Sequence, residues 1–429
     1  MSSDKTQLVS RLQSDAFKYF VRETNPQTGL VRDSTKEGWP SSIAGVGMAL
    51  SAYPSGVERG FITRDEALTR TLRKLRFFAR SEQSPSPKAT GYKGFYYHFL
   101  DMETGRRAWQ SELSTVDSAF LFAGMLLVAQ YFDRDTPEEN EIRKLAIDLY
   151  SRADWRWALN QGATLAHGWR PESGFLEYRW DGYDEALLAY MLGLGSPTYP
   201  LPPQSYQAHT SKYEWKKNYG YEYLYAAPLF AHQFSHIWID FRTIQDSFMG
   251  AHGLDYFENS RRATYVQREY ARLNPQEFKG YSEVCWGLTA CEGPGPAELT
   301  IEGRQRVFFD YVARGVPDGP DDGTVAPWAC VASLPFAHEI VVPALEHFDQ
   351  IQIGVEHPYG LEATFNTTFP DEECHACGWL SPWHFAINQG PIVLMIENYL
   401  SELPWRLMHE CPYIVAGLRR AGFKSGWLD

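Results

Sequence analysis

The amino-acid sequence predicts an all-α fold, a single (α/α)6 toroid in which six helical hairpins close into a ring with long rim loops. Helical periodicity dominates the chain, and alternating strand patterns are few and short. Long connections rich in aromatic residues, Gly and Pro separate successive helix pairs, and such loops are uncommon unless they are functional. The chain has no low-complexity linker and no fixed-period repeat, which argues against an open solenoid. We therefore expect one domain over residues 1–429, with a central cleft under the loops.

Twelve segments have the periodicity of helices. In chain order they are 4–22, 42–53, 63–80, 114–132, 137–151, 182–193, 226–238, 244–273, 323–334, 336–347, 389–399 and 401–421. Thr63 and Thr136 each precede acidic residues, the pattern of a helix cap followed by an acidic first turn. Pro137 stands at a first helical position, and Gly422 follows the last helix as a C-terminal stop.

The composition excludes several classes of function. The 40 Lys and Arg against 53 Asp and Glu give a net charge of −13, which with no basic run argues against nucleic acid as a partner. No apolar stretch approaches 18 residues, so no membrane span is expected. Aromatic residues make up 15% of the chain, and their flat faces with polar tips suit sugar rings. No Walker A, Rossmann or GxSxG motif occurs, and we expect no cofactor.

The first residues and the cysteines bear on compartment and metal binding. The opening MSSDKTQLVSRL has no apolar signal-peptide segment, which favours a cytoplasmic protein, whereas loss of a leader would fit a periplasmic or secreted one. The six cysteines are too few for a disulfide scaffold in a chain of this length. Cys374 and Cys377 flank His375 in a lone CxxC, which we interpret as reduced thiols or one local disulfide rather than a zinc site. No bound metal is expected.

Splitting a glycosidic bond requires two carboxyl groups at one cleft, and the first candidates lie in ELSTVDSAF. Ser114 or Thr115 can cap the helix that starts there, while Glu112 and Asp117 flank its first turn. Asp117 then precedes a strongly apolar run. It is therefore either an accessory cap or a residue of the functional site.

A second candidate carboxylate lies in RWDGYDEALLAYMLGLGSP. Trp180 and Tyr183 stand beside Asp181, Asp184 and Glu185, just before an apolar helix. We interpret one aspartate as the helix cap and the other as a complement to the helix dipole. Glu185, just inside the helix, could lie in an apolar pocket. Burial there would raise its pKa, as a general acid at neutral pH requires.

A third segment, HQFSHIWIDFRTIQD, carries His232, His236 and Asp240 at intervals of four residues, on one face of the predicted helix. This spacing could hold a divalent metal. A polar stripe that lines a wet cleft fits the neighbouring Trp238 and Phe241 better. Weaker binding candidates occur elsewhere: Tyr96 and His98 in one aromatic loop, Trp286 in YSEVCWGLTACEGPG, Glu362 in YGLEATFN and Gln389 in INQGPIVLMIENY.

Eight segments together resemble the glucoamylase-like family that contains bacterial β-1,2-glucanases and is related to the cyclising domain of cyclic β-1,2-glucan synthases. They are VERGFITRDEA, GFYYHFLDMETGRR, ELSTVDSAFLFAGMLLVAQYF, YDEALLAYMLGLGSP, FAHQFSHIWIDFR, DYFENSRRAT, YGLEATFN and NQGPIVLMIENY, in order along nearly the whole chain. The resemblance implies an (α/α)6 toroid that acts on β-1,2-linked glucans or sophoro-oligosaccharides.

The resemblance also implies roles for particular residues. Glu185 falls on an essential carboxylate of the family. The better-known endo-glucanases read D-x-x-E at the earlier helix start, where this chain has Ser114 and Asp117, so the base is open between Asp117 and Glu112. The expected substrate-binding residues are Tyr96, His98, Trp180, Tyr183, His236, Asp240, Arg242, Trp286, Glu362, Asn366 and Gln389.

These observations predict a glycoside hydrolase that cleaves β-1,2-glucan or sophoro-oligosaccharides. Glu185 would be the general acid, and Asp117 or Glu112 would activate water, with inversion at the anomeric carbon. One alternative is a retaining β-1,2-glucan transglycosylase. Another is a non-catalytic glycan-binding protein that keeps the toroid and its aromatic cleft.

Overall fold

Helices dominate the computed structural model, which describes residues 3–354, 357–370 and 377–429. The α-helices of these residues are α1 (Ser3–Arg22), α2 (Ile43–Glu58), α3 (Arg64–Arg80), α4 (Thr115–Tyr131), α5 (Pro137–Ser151), α6 (Trp155–Ala158), α7 (Leu187–Gly195), α8 (Pro203–Thr210), α9 (Ser247–Ala251), α10 (Tyr256–Leu273), α11 (Pro327–Ala332), α12 (Leu334–Gln350), α13 (Ala386–Leu400), α14 (Leu403–His409) and α15 (Pro412–Ala421). Short 3-10 helices occupy Leu229–His232, Phe234–Ile237 and Gly426–Leu428. No helix within the described ranges is both long enough and apolar enough to span a bilayer.

Short antiparallel strands decorate the connections between helices. They are β1 (Ser41–Ser42), β2 (Gly91–Tyr92), β3 (Phe95–Tyr97), β4 (Phe99–Leu100), β5 (Leu113–Ser114), β6 (Gly168–Arg170), β7 (Gly174–Phe175), β8 (Trp215–Asn218), β9 (Tyr221–Leu224), β10 (Ala290–Cys291), β11 (Ala297–Ile301), β12 (Arg304–Phe308), β13 (Val312–Ala313), β14 (Phe365–Asn366) and β15 (Trp379–Leu380). The sheet β2-β3-β5-β6-β7 lies at the start of α4, because β5 runs directly into that helix.

A set of inner helices forms the middle of the molecule. Helix α2 packs against α4 and α13, α4 packs against α7, and α13 packs against α11. A helix surrounded by others must be apolar on almost every face. In α4 every residue except Asp117 and Gln130 is buried. Gly47 of α2 and Gly124 of α4 meet at the crossing of these helices, where an added Cβ on either would come within 2.3 Å of the opposite backbone. The two glycines therefore permit the close approach of α2 and α4.

Outer helices bury only one face against the inner ones. Helix α1 packs on α13, α3 and α5 pack on each other and on α2 and α4, α15 packs on α7, and α12 packs on α11. The buried residues of α3 recur at helical spacing: Ala67, Thr71, Leu72, Lys74, Leu75 and Phe78. The buried apolar residues from Val9 to Leu428 form one continuous cluster, so both ends of the described chain share the same core.

The first five predicted helices correspond to α1–α5, although α2 extends further, to Glu58. Their caps agree with the prediction. The Thr63 side chain accepts the amide of Glu66 in a capping box, and Thr136 caps α5 with Pro137 at its first position. Gly422, with φ of 91°, ends α15. Local start and stop chemistry therefore fixes these ends without help from distant contacts.

Other predicted helices are wrong in extent. The segment 226–238 forms two 3-10 turns rather than an α-helix. The segment 244–273 divides into α9 and α10, because the chain turns at Gly253 (φ 66°) and Asp255 caps a new helix. The predicted helix 401–421 is likewise two helices, α14 and α15.

Candidate active site

A cavity of about 610 Å³ lies where the N-terminal ends of the inner helices converge. Its wall includes Ser42 and Ala44 at the start of α2, Asp117 in the first turn of α4, Trp328 of α11, and Asn388 of α13. Other wall residues lie just before α7 and in the two 3-10 turns, namely Glu185, Phe230 and Phe234. The cavity therefore opens on the side of the molecule where the long connections enter the inner helices.

Five carboxylates from four separate segments face this cavity. They are Asp33, Glu112, Asp117, Glu185 and Glu292. Three of them, Glu112, Asp117 and Glu185, are the residues predicted to be catalytic. The structure therefore brings the predicted acid and both predicted bases to one hollow, although they are up to 73 positions apart in the sequence.

His98 connects the two candidate bases. Its Nδ1 lies 2.9 Å from Glu112 Oε1, and its Nε2 lies 3.6 Å from Asp117 Oδ2. Burial alone would lower the pKa of His98, but the nearby charges of Asp117 and Glu112, with the hydrogen bond to Glu112, raise it to about 9. His98 is therefore a cation at neutral pH, held between two carboxylates.

The register of the sheet explains why His98 meets Glu112. Strands β3 and β5 pair with Tyr97 opposite Leu113, and the His98 amide continues the ladder to the Glu112 carbonyl at 2.9 Å. Residues directly opposite on antiparallel strands have adjacent side chains. Burial tends to raise the pKa of Glu112, but the hydrogen bond and charge of His98 outweigh it, so that the pKa is lowered. Glu112 is thus kept ionised.

Ser114, not Asp117, caps α4. The Ser114 side chain accepts the Asp117 amide at 3.2 Å, and its hydroxyl donates to Asp117 Oδ2 at 2.5 Å. Of the two roles predicted for Asp117, capping therefore belongs to its neighbour. The Asp117 carboxylate remains on the cavity wall, with a hydroxyl on one oxygen and a cationic imidazole nearby.

Glu185 also lies on the cavity wall, two residues before α7. The predicted helix start was too early, because Asp184 Oδ1 accepts the Ala186 amide at 3.0 Å and so closes a turn before Leu187. Asp184 is not the helix cap, since α7 has no side-chain cap. Burial, with the charge of Asp117 adding to it, raises the pKa of Glu185 to about 7. Burial and the charge of Glu185 also raise the pKa of the adjacent Asp184, so these two carboxyl groups share their protons as a pair.

Glu292 and Asp33 were missed by the sequence reasoning. Burial, reinforced by the charge of Asp310, raises the pKa of Glu292 to about 7. Burial also raises the pKa of Asp33, against the opposing effect of a hydrogen bond from Ser42. The cavity therefore holds carboxyl groups whose pKa values are shifted in opposite directions, since that of Glu112 is lowered and those of Asp33, Glu185 and Glu292 are raised.

Aromatic rings form much of the remaining wall. The Trp180 indole stacks on His167 with ring centroids 3.7 Å apart and donates its Nε1–H to Thr115 Oγ1 at 2.9 Å. Trp39 and Trp109 lie edge to face at 4.6 Å, and Trp109 is 55% exposed at the edge of the cavity. Rings of this kind offer flat apolar faces to a sugar.

One buried ion pair fixes the wall segment that carries Glu292 and Tyr311. Arg314 binds both oxygens of Asp322, at 2.8 and 2.7 Å, and both side chains are fully buried. The same guanidinium donates to the carbonyls of Cys291, Phe309 and Asp310, which lie on the two sides of the β10–β13 pair. The position of Glu292 thus depends on contacts far along the chain, for which the sequence has no local signal.

Of the predicted substrate-binding residues, His98 and Trp180 line the cavity, and four others are buried away from its described wall. Tyr96 is fully buried and packs on Phe78 of α3. Tyr183 packs among aromatic rings behind Glu185, and Trp286 is fully buried. Asn366 donates to a backbone carbonyl and to a threonine hydroxyl. These side chains complete the packing behind the wall.

The stretch with His232, His236 and Asp240 does not form the predicted polar face, because it is not an α-helix. His232 Nε2 lies 3.1 Å from a backbone carbonyl, and His236 Nε2 lies 3.0 Å from a serine hydroxyl. Arg242 binds both oxygens of Asp240. Burial lowers the pKa of His236 to about 3. His236, Asp240 and Arg242 therefore have internal structural partners, and none belongs to the described cavity wall.

The remaining predicted residues, Glu362 and Gln389, lie next to His384 behind the wall segment that contains Phe385 and Asn388. Of the CxxC segment, Cys374 and His375 lie outside the described residues. Cys377 is buried, and its Sγ donates to the Ile351 carbonyl at 3.2 Å.

Comparison with known proteins places this cavity in context. The family model described as "Putative glucoamylase" matches residues 177–412. The exo β-1,2-glucooligosaccharide sophorohydrolase (non-reducing end) of Parabacteroides distasonis is 26% identical, over 96% of this chain and 57% of that protein. The chain thus spans little more than half the length of this curated relative.

Solved structures give matches over the full length of the chain. A Bacteroides uniformis protein of the same family description is 30% identical, with a TM-score of 0.87 and 99% of both chains covered. The endo-β-1,2-glucanase of Chitinophaga pinensis, solved with sophorotriose and glucose, is 26% identical, with a TM-score of 0.84 and 99% of both chains covered. The chain therefore belongs to the glucoamylase-like family, with the mostly helical α/α toroid type of fold found in that family.

Proposed function

We propose that the protein is a glycoside hydrolase that cleaves β-1,2-glucan or sophoro-oligosaccharides. The observation that carries the proposal is that Glu185, whose pKa is raised to about 7, lines the same aromatic cavity as the His98-linked pair Glu112 and Asp117. Carboxyl groups whose environments push their pKa values apart are the mark of an acid and base pair. The relatives named as β-1,2-glucan hydrolases supply the linkage.

Glu185 is the general acid of the proposed reaction. In its protonated form it donates a proton to the glycosidic oxygen while the bond from that oxygen to the anomeric carbon breaks. Its burial, with the charge of Asp117 adding to it, favours the neutral form of the carboxyl group.

Asp117 or Glu112 removes a proton from the attacking water. Both are on the part of the wall next to His98, whose positive charge favours the ionised form of a carboxylate. The Ser114 hydroxyl, bonded to Asp117, offers a bridge between that carboxylate and a water molecule. Attack from the face opposite Glu185 makes the reaction inverting, and a water must then fit between the two carboxyl groups.

The architecture that supports this site is, in our proposal, a single-domain (α/α)6 toroid over residues 1–429. Six inner elements contribute to the cavity wall, namely α2, α4, the residues before α7, the two 3-10 turns, α11 and α13. The 3-10 turns would take the place of one inner helix. The continuous apolar cluster supports one domain.

Incubation with linear β-1,2-glucan and with sophorotriose, followed by NMR of the first products, tests the function. We expect reducing sugar of the inverted anomer. Glu185→Gln should lower turnover about 10²–10⁴-fold while binding is kept, because Gln preserves the shape but cannot donate the proton. Glu283→Gln, at a side chain that is 60% exposed and outside the cavity wall, is the matched control and should leave turnover unchanged.

Three results would contradict parts of this proposal. Near-normal turnover of Glu185→Gln would remove Glu185 from the role of acid. Tight oligosaccharide binding with no reducing sugar after long incubation would indicate a glycan-binding protein. First release of the retained anomer would indicate a retaining transglycosylase or hydrolase.

A further inference from the structure

A second cluster of polar side chains lies outside the cavity, where two loops meet. His357 follows α12, Glu362 precedes β14, and His384 precedes α13. One ligand atom from each residue lies within 4.8 Å of the others, and no second such group of His, Cys, Asp or Glu occurs among the described residues. His357 and Glu362 share the loop between α12 and β14, and the fold brings His384 to them from the loop that precedes α13.

Two ring nitrogens of this cluster have no hydrogen-bond partner among the described residues. They are His357 Nδ1 and His384 Nε2, both shielded from solvent. The His384 side chain is fully buried, and its Nε2 points at Glu362 Oε2 from 3.3 Å without the alignment of a hydrogen bond. A buried polar atom with no partner costs about 1–3 kcal/mol, so the arrangement requires an explanation.

The other nitrogen of His384 has a partner suited to a metal ligand. Gln389 Nε2 lies 3.1 Å from His384 Nδ1, while Gln389 Oε1 is buried without a partner in the described part of the chain. Rotation of this amide by 180° exchanges two groups of nearly equal shape and lets Oε1 accept the Nδ1–H of His384. That tautomer leaves a lone pair on Nε2, directed at Glu362. Ligating histidines usually donate their second N–H to such an oxygen.

We propose that His357, Glu362 and His384 bind one zinc ion, with water as the fourth ligand. Two imidazoles and one carboxylate are a common zinc ligand set. Ligands about 2.0–2.1 Å from zinc in a tetrahedron lie roughly 3.3–3.4 Å from one another. The separation of 3.3 Å between His384 Nε2 and Glu362 Oε2 matches this distance between two zinc ligands. A ligand atom of His357 lies within 4.8 Å of both, and its ring packs against that of His384 with centroids 3.7 Å apart.

The zinc would brace the loop that leads into α13. The His384 amide donates to Thr35 Oγ1 at 3.0 Å, and the Thr35 amide donates to the His384 carbonyl at 2.9 Å. The loop with Thr35 also carries Asp33, whose carbonyl accepts the Ala386 amide. A metal on His384 therefore holds two segments of the cavity wall from behind, and it binds no residue of that wall.

Zinc binding by the full-length protein tests the proposal independently of catalysis. After treatment with a chelator and dialysis, the protein is titrated with ZnCl2 by calorimetry, and bound zinc is counted by mass spectrometry. We expect about one zinc per chain and a higher melting temperature with zinc. Glu362→Gln, which keeps the shape of the side chain, and His357→Ala should each weaken binding at least about tenfold.

His338→Ala is the matched control, because His338 is 56% exposed on α12 and lies beside a glutamate. It should leave the stoichiometry and affinity unchanged. The proposal would be overturned if the protein showed no saturable zinc binding. It would also be overturned if zinc binding survived both Glu362→Gln and His357→Ala. Circular dichroism of the zinc-free variants shows whether weaker binding comes from loss of a zinc ligand or from loss of the fold. If His357→Ala does not fold, the zinc affinity of Glu362→Gln decides whether the proposed site exists.

Discussion

Raising the pH should abolish the proposed hydrolysis, because Glu185, the proposed general acid, loses its proton. The pKa of this residue is raised to about 7 by burial and by the charge of Asp117. The neutral carboxyl group is the active form of a general acid. We therefore expect kcat/KM to be highest below pH 7 and to fall as the pH rises above 7. An ordinary glutamate would lose its proton near pH 4.5 and would show no such limb at neutral pH.

The size of the loss follows from the titration of one group. With a pKa of about 7, roughly 1% of Glu185 is protonated at pH 9, so kcat/KM should fall about 100-fold between pH 6 and pH 9. Above pH 9 the decline should become steeper. His98, whose pKa is about 9, then loses the charge that it presents to the two candidate bases.

Initial rates on sophorotriose well below KM, measured from pH 5 to pH 10 at constant ionic strength, test this prediction. Glu292 requires a control, because its pKa is also raised to about 7 and it faces the same cavity. Glu292→Gln should keep the fall above pH 7. A flat wild-type profile between pH 6 and pH 9 would refute the assignment of Glu185, and disappearance of the fall in Glu292→Gln would transfer it to Glu292.

Two further predictions concern residues that position the wall. His98→Gln should lower kcat about 10–150-fold, because a charged hydrogen bond to Glu112 is worth about 1.5–3 kcal/mol. The substitution should also abolish the steeper decline of kcat/KM above pH 9. An unchanged pH profile in that range would show that His98 acts only in packing. Arg314→Met should lower the free energy of unfolding by about 3–5 kcal/mol, because it leaves Asp322 buried and unpaired. The exposed Arg304→Met should change it by less than about 0.5 kcal/mol in the same urea titration, and equal effects would contradict the reasoning.

The helices that the sequence predicts well are those whose ends are decided locally. Thr63 and Thr136 cap their helices through bonds to amides three residues on, and these contacts need no distant partner. The prediction of an α-helix over 226–238 was wrong because the spacing of its apolar residues is compatible with several compact conformations. Pro228 starts a 3-10 turn, and His232 and Gln233 bond to backbone carbonyls from 226 and 329. Side-chain bonds of this kind compete with the regular helix.

The same distinction separates the site residues that were found from those that were missed. Glu112, Asp117 and Glu185 lie at the starts of strongly apolar helices, which is a pattern visible in the sequence. Asp33 and Glu292 lie in irregular segments that long-range contacts hold against the cavity. The residues near Glu292 give no indication that an arginine 22 positions later holds the β10–β13 strand pair next to it in place.

The contrast between the carboxyl groups has a structural origin that the sequence does not contain. Glu112 and Glu185 are the same residue type in the same cavity, yet the pKa of one is lowered and that of the other is raised to about 7. The difference arises because the pairing of β3 with β5 sets His98 opposite Glu112, whereas the pKa of Glu185 is raised by burial, with the charge of Asp117 adding to it. A one-residue slip of that pairing would direct the histidine away from Glu112. The contrast between the pKa values of these carboxyl groups therefore depends on strand register as much as on the identity of the residues.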